Sequence, residues 1–239
     1  MKVRAIKTGI FREGEDLLAF IKKYVQTLKE GSVLIVTSKI VALAEGRTAP
    51  ATDLKRVIKA ESTWAVPSKY VMLTEKDGML LANAGVDASN GDGKLVLLPK
   101  DSFKTAAVLR KQLLKLFLIR KIGVVIADSR CVPGRAGIVG VALGYAGFKG
   151  LRDYKGKKDI FGRKLRFTQT DIADGLATAA VLVMGEGSER QPLCVIEDAP
   201  VVFAKKVRRN ELRISPKDDM FRPILQLPKT SGRKRRKTS

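Results

Sequence analysis

An apolar run that stops at a carboxylate is the feature that most constrains the fold of this chain. Residues 122–128 read IGVVIAD, so six residues without a charge precede Asp128. Such a run is typical of a strand that is buried on both faces of a sheet, and a charge at its end is costly to bury unpaired. Open α/β sheets bind ligands beyond the carboxyl ends of their strands. The run therefore predicts a buried strand with a polar site at its end.

Residues 80–93 form a second polar corner. They read LLANAGVDASNGDG and place Asp87 between the amides of Asn83 and Asn90. Asn, Asp and Gly favour turns, so the composition alone is equally consistent with an ordinary loop. Taken with the end of the apolar run, the loop predicts a site for hard cations and phosphate in which Asp87 and Asp128 lie together.

The absence of histidine narrows the chemistry further. The chain contains none, which excludes Ser-His-Asp and Cys-His catalysis and removes the usual nitrogen ligands of zinc and copper. The two cysteines, Cys131 and Cys194, have no CxxC spacing and are expected to be reduced thiols. A metal would therefore be held by oxygen ligands, which select Mg²⁺ or Mn²⁺.

The charge of the chain is strongly positive. The 239 residues include 46 Lys+Arg and 24 Asp+Glu, a formal net charge of +22. Six basic residues lie in the segment 229–239, KTSGRKRRKTS, which has nothing to bury and is expected to be a disordered tail. The remaining charge fits a protein with anionic ligands. The alternative from another functional class is a basic nucleic-acid-binding protein. The sequence shows no helix-turn-helix, RRM or KH signature, so we do not expect specific binding to nucleic acid.

Targeting signals are missing from the sequence. No stretch approaches the roughly 18 consecutive apolar residues that span a membrane. The start, MKVRAIKTGIFREGEDLL, lacks the apolar centre and cleavage site of a signal peptide. We therefore expect a cytoplasmic protein with no membrane partner.

Strand and helix patterns alternate along the chain. Helical spacing predicts helices at 13–29, 102–118 and 171–184, with Ser38 and Ser102 as helix caps. Short apolar runs predict strands at 2–10, 33–36, 95–98, 138–142, 193–196 and 201–207, while residues 48–77 fit no single pattern. The alternation is compatible with either an α/β or an α+β fold.

Several motifs, in one order, resemble the coenzyme F420-0:γ-glutamyl ligase family. They are SKIVALAEGR (38–47), NAGVDASN (83–90), Asp128-Ser129, the segment 140–165 with its DIFGR, and TDIADGLATAAVLVMGEG (170–187). The similarity covers nearly all of residues 1–203. It implies an α+β (mixed α/β) fold with mixed sheets, a ligase domain over 1–228 that can divide into two interleaved subdomains, and an intertwined homodimer.

The resemblance also implies a reaction and a set of site residues. In this family GTP, the co-substrate, phosphorylates the terminal carboxylate of the lactyl side chain of F420-0, and the amine of L-glutamate then displaces phosphate to form an amide. Divalent cations, Mg²⁺ or Mn²⁺, are held at positions that match Asp87, Asp128, Ser129 and Glu186. Positions that match Ser38, Lys39 and Asn90 contact the nucleotide.

Three positions depart from the family pattern. Leu43 stands where many members have a nucleotide-contacting lysine, so we expect weakened GTP binding that Leu43→Lys would strengthen. Cys131 lies in SRCVPGR, where the family commonly has TFGRPWR, and Gly175 replaces a glutamate. Because of these departures, the alternative remains that the chain is a divergent member of the family, with another acceptor or with no ligase activity.

Overall fold

Strands and helices alternate over residues 1–215 and 217–221, the part of the chain that the computed structural model describes. The helices are α1 (Leu17–Tyr24), α2 (Ser38–Ala44), α3 (Leu54–Glu61), α4 (Ser102–Leu116) and α5 (Ile172–Met184). The strands are β1 (Lys2–Ile6), β2 (Val33–Thr37), β3 (Thr48–Pro50), β4 (Trp64–Pro67), β5 (Met72–Lys76), β6 (Met79–Ala82), β7 (Lys94–Val96), β8 (Gly123–Cys131), β9 (Ile138–Ala146), β10 (Leu151–Asp153), β11 (Gln169–Asp171) and β12 (Leu193–Glu197). This mixed content confirms the α+β class.

The apolar run forms β8, near the middle of a five-stranded sheet. The strand order is β1-β12-β2-β8-β9, in which β2 and β8 are parallel and the other neighbours are antiparallel. Alternate side chains of β8 enter two cores. Val124 and Ile126 pack in the core that contains α1, α2 and α4, whereas Val125 and Ala127 pack in the core that contains α5. The run is uniformly apolar because both faces of the strand are covered.

Two glycines of β9 let helices approach both faces closely. A Cβ atom on Gly140 would lie 2.4 Å from the carbonyl oxygen of Ala177 in α5. A Cβ atom on Gly144 would lie 2.4 Å from the carbonyl carbon of Ser102 at the start of α4. Because backbone atoms cannot yield as a flexible side chain can, both positions require glycine.

Three smaller sheets complete the fold, in the orders β4-β5-β6, β3-β7 and β10-β11. The segment 48–77, which fits no single sequence pattern, supplies β3, α3, β4 and β5. Val57 and Ile58 of α3 pack with Val86, Leu95 and Leu97. This cluster supports both ends of the polar loop between β6 and β7.

Several predicted boundaries differ from the observed ones. The first helix begins at Leu17 rather than at residue 13, because the Asp16 side chain accepts a hydrogen bond from the N–H of Ala19. Asp101, not Ser102, caps α4. The predicted strand 201–207 is reduced to an isolated bridge between Phe148 and Phe203.

Two expectations concern the ends of the chain and its relation to membranes. The predicted tail 229–239, and the end of the predicted domain at 228, lie outside the described residues. Within the described part, none of the helices combines the length and the hydropathy that crossing a bilayer requires.

Candidate functional site

Asp128 is the first charged side chain beyond the apolar part of β8. Its Oδ2 accepts a hydrogen bond from the Ser38 hydroxyl at 2.9 Å, and its Oδ1 accepts one from the Ser129 N–H at 2.8 Å. The parallel pairing of β2 with β8 sets this contact, since Thr37 lies opposite Ala127 and the next residues of both segments are neighbours. The Ser38 hydroxyl therefore binds the Asp128 carboxylate and does not cap its own helix, contrary to the prediction from the sequence.

Lys39, the next residue of α2, reaches the second polar corner. Its Nζ donates to Asp87 Oδ2 at 2.6 Å, to the Ser89 carbonyl at 2.8 Å and to the Ser89 hydroxyl at 3.1 Å. Asp87 is held from its backbone as well, through two hydrogen bonds with Val96 at the end of β7. Consecutive residues of one helix thus join the two corners that the sequence identified.

Glu186 approaches from the end of α5. Gly185, which follows the helix with a φ of 78°, redirects the chain there, and the Ser129 hydroxyl forms a long 3.4 Å hydrogen bond to Glu186 Oε2. The structure therefore brings six of the seven predicted site residues into one connected group. They are Ser38, Lys39, Asp87, Asp128, Ser129 and Glu186.

Asn90 is the seventh predicted residue. It is exposed, with a φ of 52° in the turn that follows Asp87. No hydrogen bond within the described residues joins its side chain to the other six. Ser89, which was not among the predicted site residues, instead binds the Asp87 carboxylate. Its N–H donates to Oδ1 at 2.8 Å, and its hydroxyl donates to Oδ2 at 2.7 Å. The signal for it was the Asp-x-Ser spacing, which favours an Asx turn.

The three carboxylates of this group have different proton affinities. Burial raises the pKa of Asp128 to about 6, despite the hydrogen bonds from Ser129 and Ser38 and the charge of Lys39. Burial also raises the pKa of Glu186, and the negative charges of Asp87 and Glu189 add to the effect. For Asp87, burial acts in the same direction, but the hydrogen bonds from Lys39 and Ser89 outweigh it and lower the pKa below its usual value. The group carries more negative charge than Lys39 alone neutralises.

The donor set of the site consists of oxygen atoms. Asp128, Ser129 and Glu186 present carboxylate and hydroxyl oxygens, which Mg²⁺ and Mn²⁺ prefer. Across the described residues, no three His, Cys, Asp or Glu side chains lie close enough together to hold a metal ion by themselves. The residues fit a hard cation in their chemistry, with the rest of its coordination left to water and ligand oxygens.

A groove with a volume of about 1290 Å³ opens beside the end of β8. Arg130 and Cys131, which line it, follow Asp128 by two and three residues in the same strand, so the groove begins roughly 7 Å along β8 from that residue. Its walls include Phe103, Val141 and Leu143. This groove could not be predicted from the sequence, because its walls come from segments that lie far apart in the chain.

The guanidinium of Arg130 is fixed at this groove. One of its terminal nitrogens pairs with Asp174 of α5 at 3.3 Å. Its Nε atom is buried and has no hydrogen-bond partner within the described part of the chain. Because the Arg130 side chain is 37% exposed, its guanidinium gives the groove a positioned positive charge beside apolar side chains such as Phe103 and Leu143.

Leu43 requires a correction. The residue is buried, with an exposed fraction of 9%, in the core shared by α1, α2 and α4. The sequence analysis expected Leu43→Lys to place a cation against the nucleotide and to strengthen GTP binding. The premise that this side chain faces the nucleotide is therefore wrong, because a lysine here would have to leave the apolar cluster or bury its charge.

The chain is similar to known proteins over most of its length. The family model described as F420-0:Gamma-glutamyl ligase matches residues 53–198, a range that includes Asp87, Asp128, Ser129 and Glu186. Two proteins named coenzyme F420:L-glutamate ligase, from Methanocaldococcus jannaschii and from Methanococcus maripaludis strain C6, are 32% and 35% identical to this chain; each alignment covers 93% of this chain and 97% of the relative. A third protein of that name, from Archaeoglobus fulgidus, is 32% identical over 91% of this chain and 94% of its own length.

Proposed function

The chain belongs to the F420-0:Gamma-glutamyl ligase family, and on that premise we propose that it is a GTP-dependent ligase. It joins the amine of L-glutamate to the carboxylate of F420-0, or of a related anionic acceptor, through an acyl phosphate. The observation that carries the proposal is the meeting of Asp128, at the end of a buried parallel strand, with Ser38 and Lys39 of the neighbouring strand–helix unit. Ligands of open α/β sheets bind at such strand ends.

Different residues of the site would bind the cation and the nucleotide. Asp128, Ser129 and Glu186, with Asp87, would hold Mg²⁺ or Mn²⁺ together with water and phosphate oxygens. The cation would neutralise the charge that develops on the phosphates during transfer. Lys39 supplies a mobile positive charge for phosphate, and Ser38 orients the Asp128 carboxylate through its 2.9 Å hydrogen bond. Asn90 stays a predicted nucleotide contact.

The proposed reaction consists of two displacement steps between the substrates and requires no protein nucleophile. An oxygen of the acceptor carboxylate attacks the γ-phosphorus of GTP, the bond to the bridging oxygen breaks, and GDP leaves. The glutamate amine then attacks the acyl carbon and loses a proton, and phosphate departs with the carboxylate oxygen. Each step depends on positioning and charge neutralisation, which is consistent with a chain that has no histidine.

The groove beside β8 is suited to the acceptor. F420-0, as the family resemblance implies, combines a flat deazaflavin ring with a carboxylate-bearing chain. Apolar walls such as Phe103 and Leu143 can cover a ring, while the exposed part of the Arg130 guanidinium can donate to an acceptor oxygen. Because Arg130 lies two residues from Asp128, an acceptor held there has its carboxylate end near the proposed phosphate position.

A different acceptor is the second candidate. Cys131, one of the departures from the family pattern, is an exposed free thiol that lines the same groove. The departure thus falls where an acceptor would be recognised, which favours a related carboxylate substrate over a loss of the phosphate chemistry. Mutational change at Cys131 should alter the choice of acceptor and leave nucleotide binding intact.

We also propose that the protein is a homodimer. Between β10 and β11 the chain forms an arm in which Ile160, Phe161 and Phe167 are 92%, 89% and 85% exposed. The arm is nevertheless ordered by its own hydrogen bonds, because the Asp159 carboxylate accepts from the N–H groups of Phe161 and Arg163. Exposed apolar side chains on such an arm are expected where a second copy covers them.

The activity is tested by GDP formation from GTP in the presence of Mn²⁺. We expect sustained GDP formation only when both F420-0 and L-glutamate are present, because without glutamate the reaction stops at the acyl phosphate. We expect Asp128→Asn to abolish GDP formation. A matched control is Asp53→Asn, which removes a carboxylate that pairs with Arg56 rather than with a residue of the site. GDP formation that ignores both substrates, or that survives Asp128→Asn, would overturn the proposal.

A thermal-shift panel separates the remaining classes of function. A ligand that binds the native state raises its melting temperature, so GTP with Mn²⁺ should stabilise the protein more than ATP with Mn²⁺. Stabilisation by duplex DNA alone, lost at high salt, would instead favour the nucleic-acid-binding alternative.

A further inference from the structure

The ammonium group of Lys39 lies among oxygen atoms of the loop that contains Asp87. Three oxygens surround Nζ at 2.6, 2.8 and 3.1 Å: Asp87 Oδ2, the Ser89 carbonyl and the Ser89 hydroxyl. A carboxylate, a carbonyl and a hydroxyl are also the ligand types that bind hard divalent cations. Lys39 and a metal ion would therefore compete for the same oxygens.

The Asp87 carboxylate has little accepting capacity left for a metal while these contacts hold. Its Oδ2 accepts from both Lys39 and the Ser89 hydroxyl, and its Oδ1 accepts from the Ser89 N–H. A metal ion that used Oδ2 would have to displace the ammonium. The positive charge of Lys39 also acts on Asp128 and Glu186, so it opposes a second cation at those carboxylates.

The ammonium can move to another position. The side chain of Lys39 is 27% exposed and has a flexible four-carbon stem. Its residue lies next to Ser38, which contacts Asp128, so a phosphate bound near Asp128 would lie within reach of the same side chain. Lys39 therefore has two candidate anionic partners, the Asp87 carboxylate and a nucleotide phosphate.

We propose that Lys39 is a competitor for the metal position and that it makes the site select a metal–nucleotide complex over free metal. While Lys39 pairs with Asp87, free Mg²⁺ or Mn²⁺ binds weakly. A nucleotide phosphate attracts the ammonium away from Asp87, and the metal bound to that nucleotide takes its place. This inference rests on the proposed function for the identity of the anion, but the competition itself concerns only Lys39, Asp87 and the cation.

Titration of Mn²⁺ alone, followed by electron paramagnetic resonance without nucleotide, tests the competition. Lys39→Met removes the charge and keeps the length of the side chain, so it should bind Mn²⁺ at least about tenfold more tightly than the wild type. Lys39→Arg keeps the charge and should stay within about threefold of the wild type. The matched control is Lys29→Met, whose lysine pairs with Glu197 at 2.8 Å in another part of the molecule, and its Mn²⁺ affinity should be unchanged.

A second readout keeps the test independent of any single variant. Mn²⁺ should raise the melting temperature of Lys39→Met more than that of the wild type, and Lys39→Gln should behave in the same way. This additional rise in melting temperature should disappear when Asp87→Asn is combined with Lys39→Met, because the carboxylate for which Lys39 and the metal compete is then absent.

The proposal is overturned if Lys39→Met and Lys39→Gln bind Mn²⁺ no more tightly than the wild type, or if Lys29→Met gains as much. The titration contains no nucleotide, acceptor or glutamate. Absence of ligase activity would therefore overturn the proposed function without changing the Mn²⁺ comparison, and the two failures are distinguishable.

Discussion

Replacing Asp128 by asparagine should stabilise the protein in the absence of metal. Burial raises the pKa of this carboxyl from 3.8 to about 6. Between these values the folded state binds more protons than the unfolded state, so the free energy of unfolding falls as the pH rises through this window. Above about pH 6 the folded protein holds a carboxylate that its surroundings disfavour.

The magnitude follows from the size of the pKa change. A rise from 3.8 to about 6 corresponds to a loss of roughly 3 kcal/mol of unfolding free energy at neutral pH. Asparagine avoids this loss and can keep both hydrogen bonds, since its oxygen can accept from the Ser129 N–H while its amide donates to the Ser38 hydroxyl. Allowing for imperfect geometry, we expect Asp128→Asn to gain about 1–3 kcal/mol at pH 7.5 and nothing near pH 4.

Urea denaturation in the presence of EDTA at pH 4, 5.5 and 7.5 measures this effect. The matched control is Asp87→Asn, which should lose stability at pH 7.5, because the Asp87 carboxylate is already paired with Lys39. That loss should stay below about 1 kcal/mol, since the carboxylate is half-exposed. An Asp128→Asn protein that is less stable than the wild type at pH 7.5, or a difference that does not change with pH, would refute the reasoning.

Three shorter predictions test other parts of the structure. Leu43→Lys should lower the melting temperature by differential scanning fluorimetry, because it inserts a charge into the core; an unchanged value would place the side chain at the surface. Phe161→Asp should shift the mass seen by light scattering from dimer to monomer, and a monomeric wild type would contradict the dimer. Glu211→Gln should lower the free energy of unfolding, measured in urea, by about 1–2 kcal/mol, because the carboxylate accepts hydrogen bonds from the Tyr145 hydroxyl and the Gly150 N–H. An unchanged free energy of unfolding would mean that these contacts are solvated.

The sequence predicted those parts of the fold whose cause is local. The apolar run before Asp128 indicates a strand covered on both faces, and β8 is such a strand. Helical spacing likewise predicts α4 and α5 to within a few residues. The predicted strand 201–207 is not formed: the chain there makes one bridge, between Phe203 and Phe148 beyond the end of β9, with backbone hydrogen bonds to Gly147 and Lys149 on either side.

The site was predictable in its residues but not in its contacts. Asp87 and Asp128 could be identified as carboxylates in polar corners, and the resemblance added Ser129 and Glu186. Their arrangement depends on the parallel register of β2 with β8, which places consecutive residues of α2 against separate loops. No local pattern encodes that register, so the pairing of Lys39 with Asp87 could not be read from the sequence. For the same reason, the burial of Leu43 was not apparent from its alignment with a lysine.

Oxygen isotopes can show whether the acceptor carboxylate is activated by phosphorylation, as proposed. F420-0 whose terminal carboxylate carries ¹⁸O is incubated with the protein, GTP, Mn²⁺ and L-glutamate, and the released phosphate is analysed by mass spectrometry. Since an acyl phosphate transfers one carboxylate oxygen to phosphorus, we expect one ¹⁸O atom in each phosphate formed alongside the amide. Amide formation accompanied by unlabelled phosphate would contradict it.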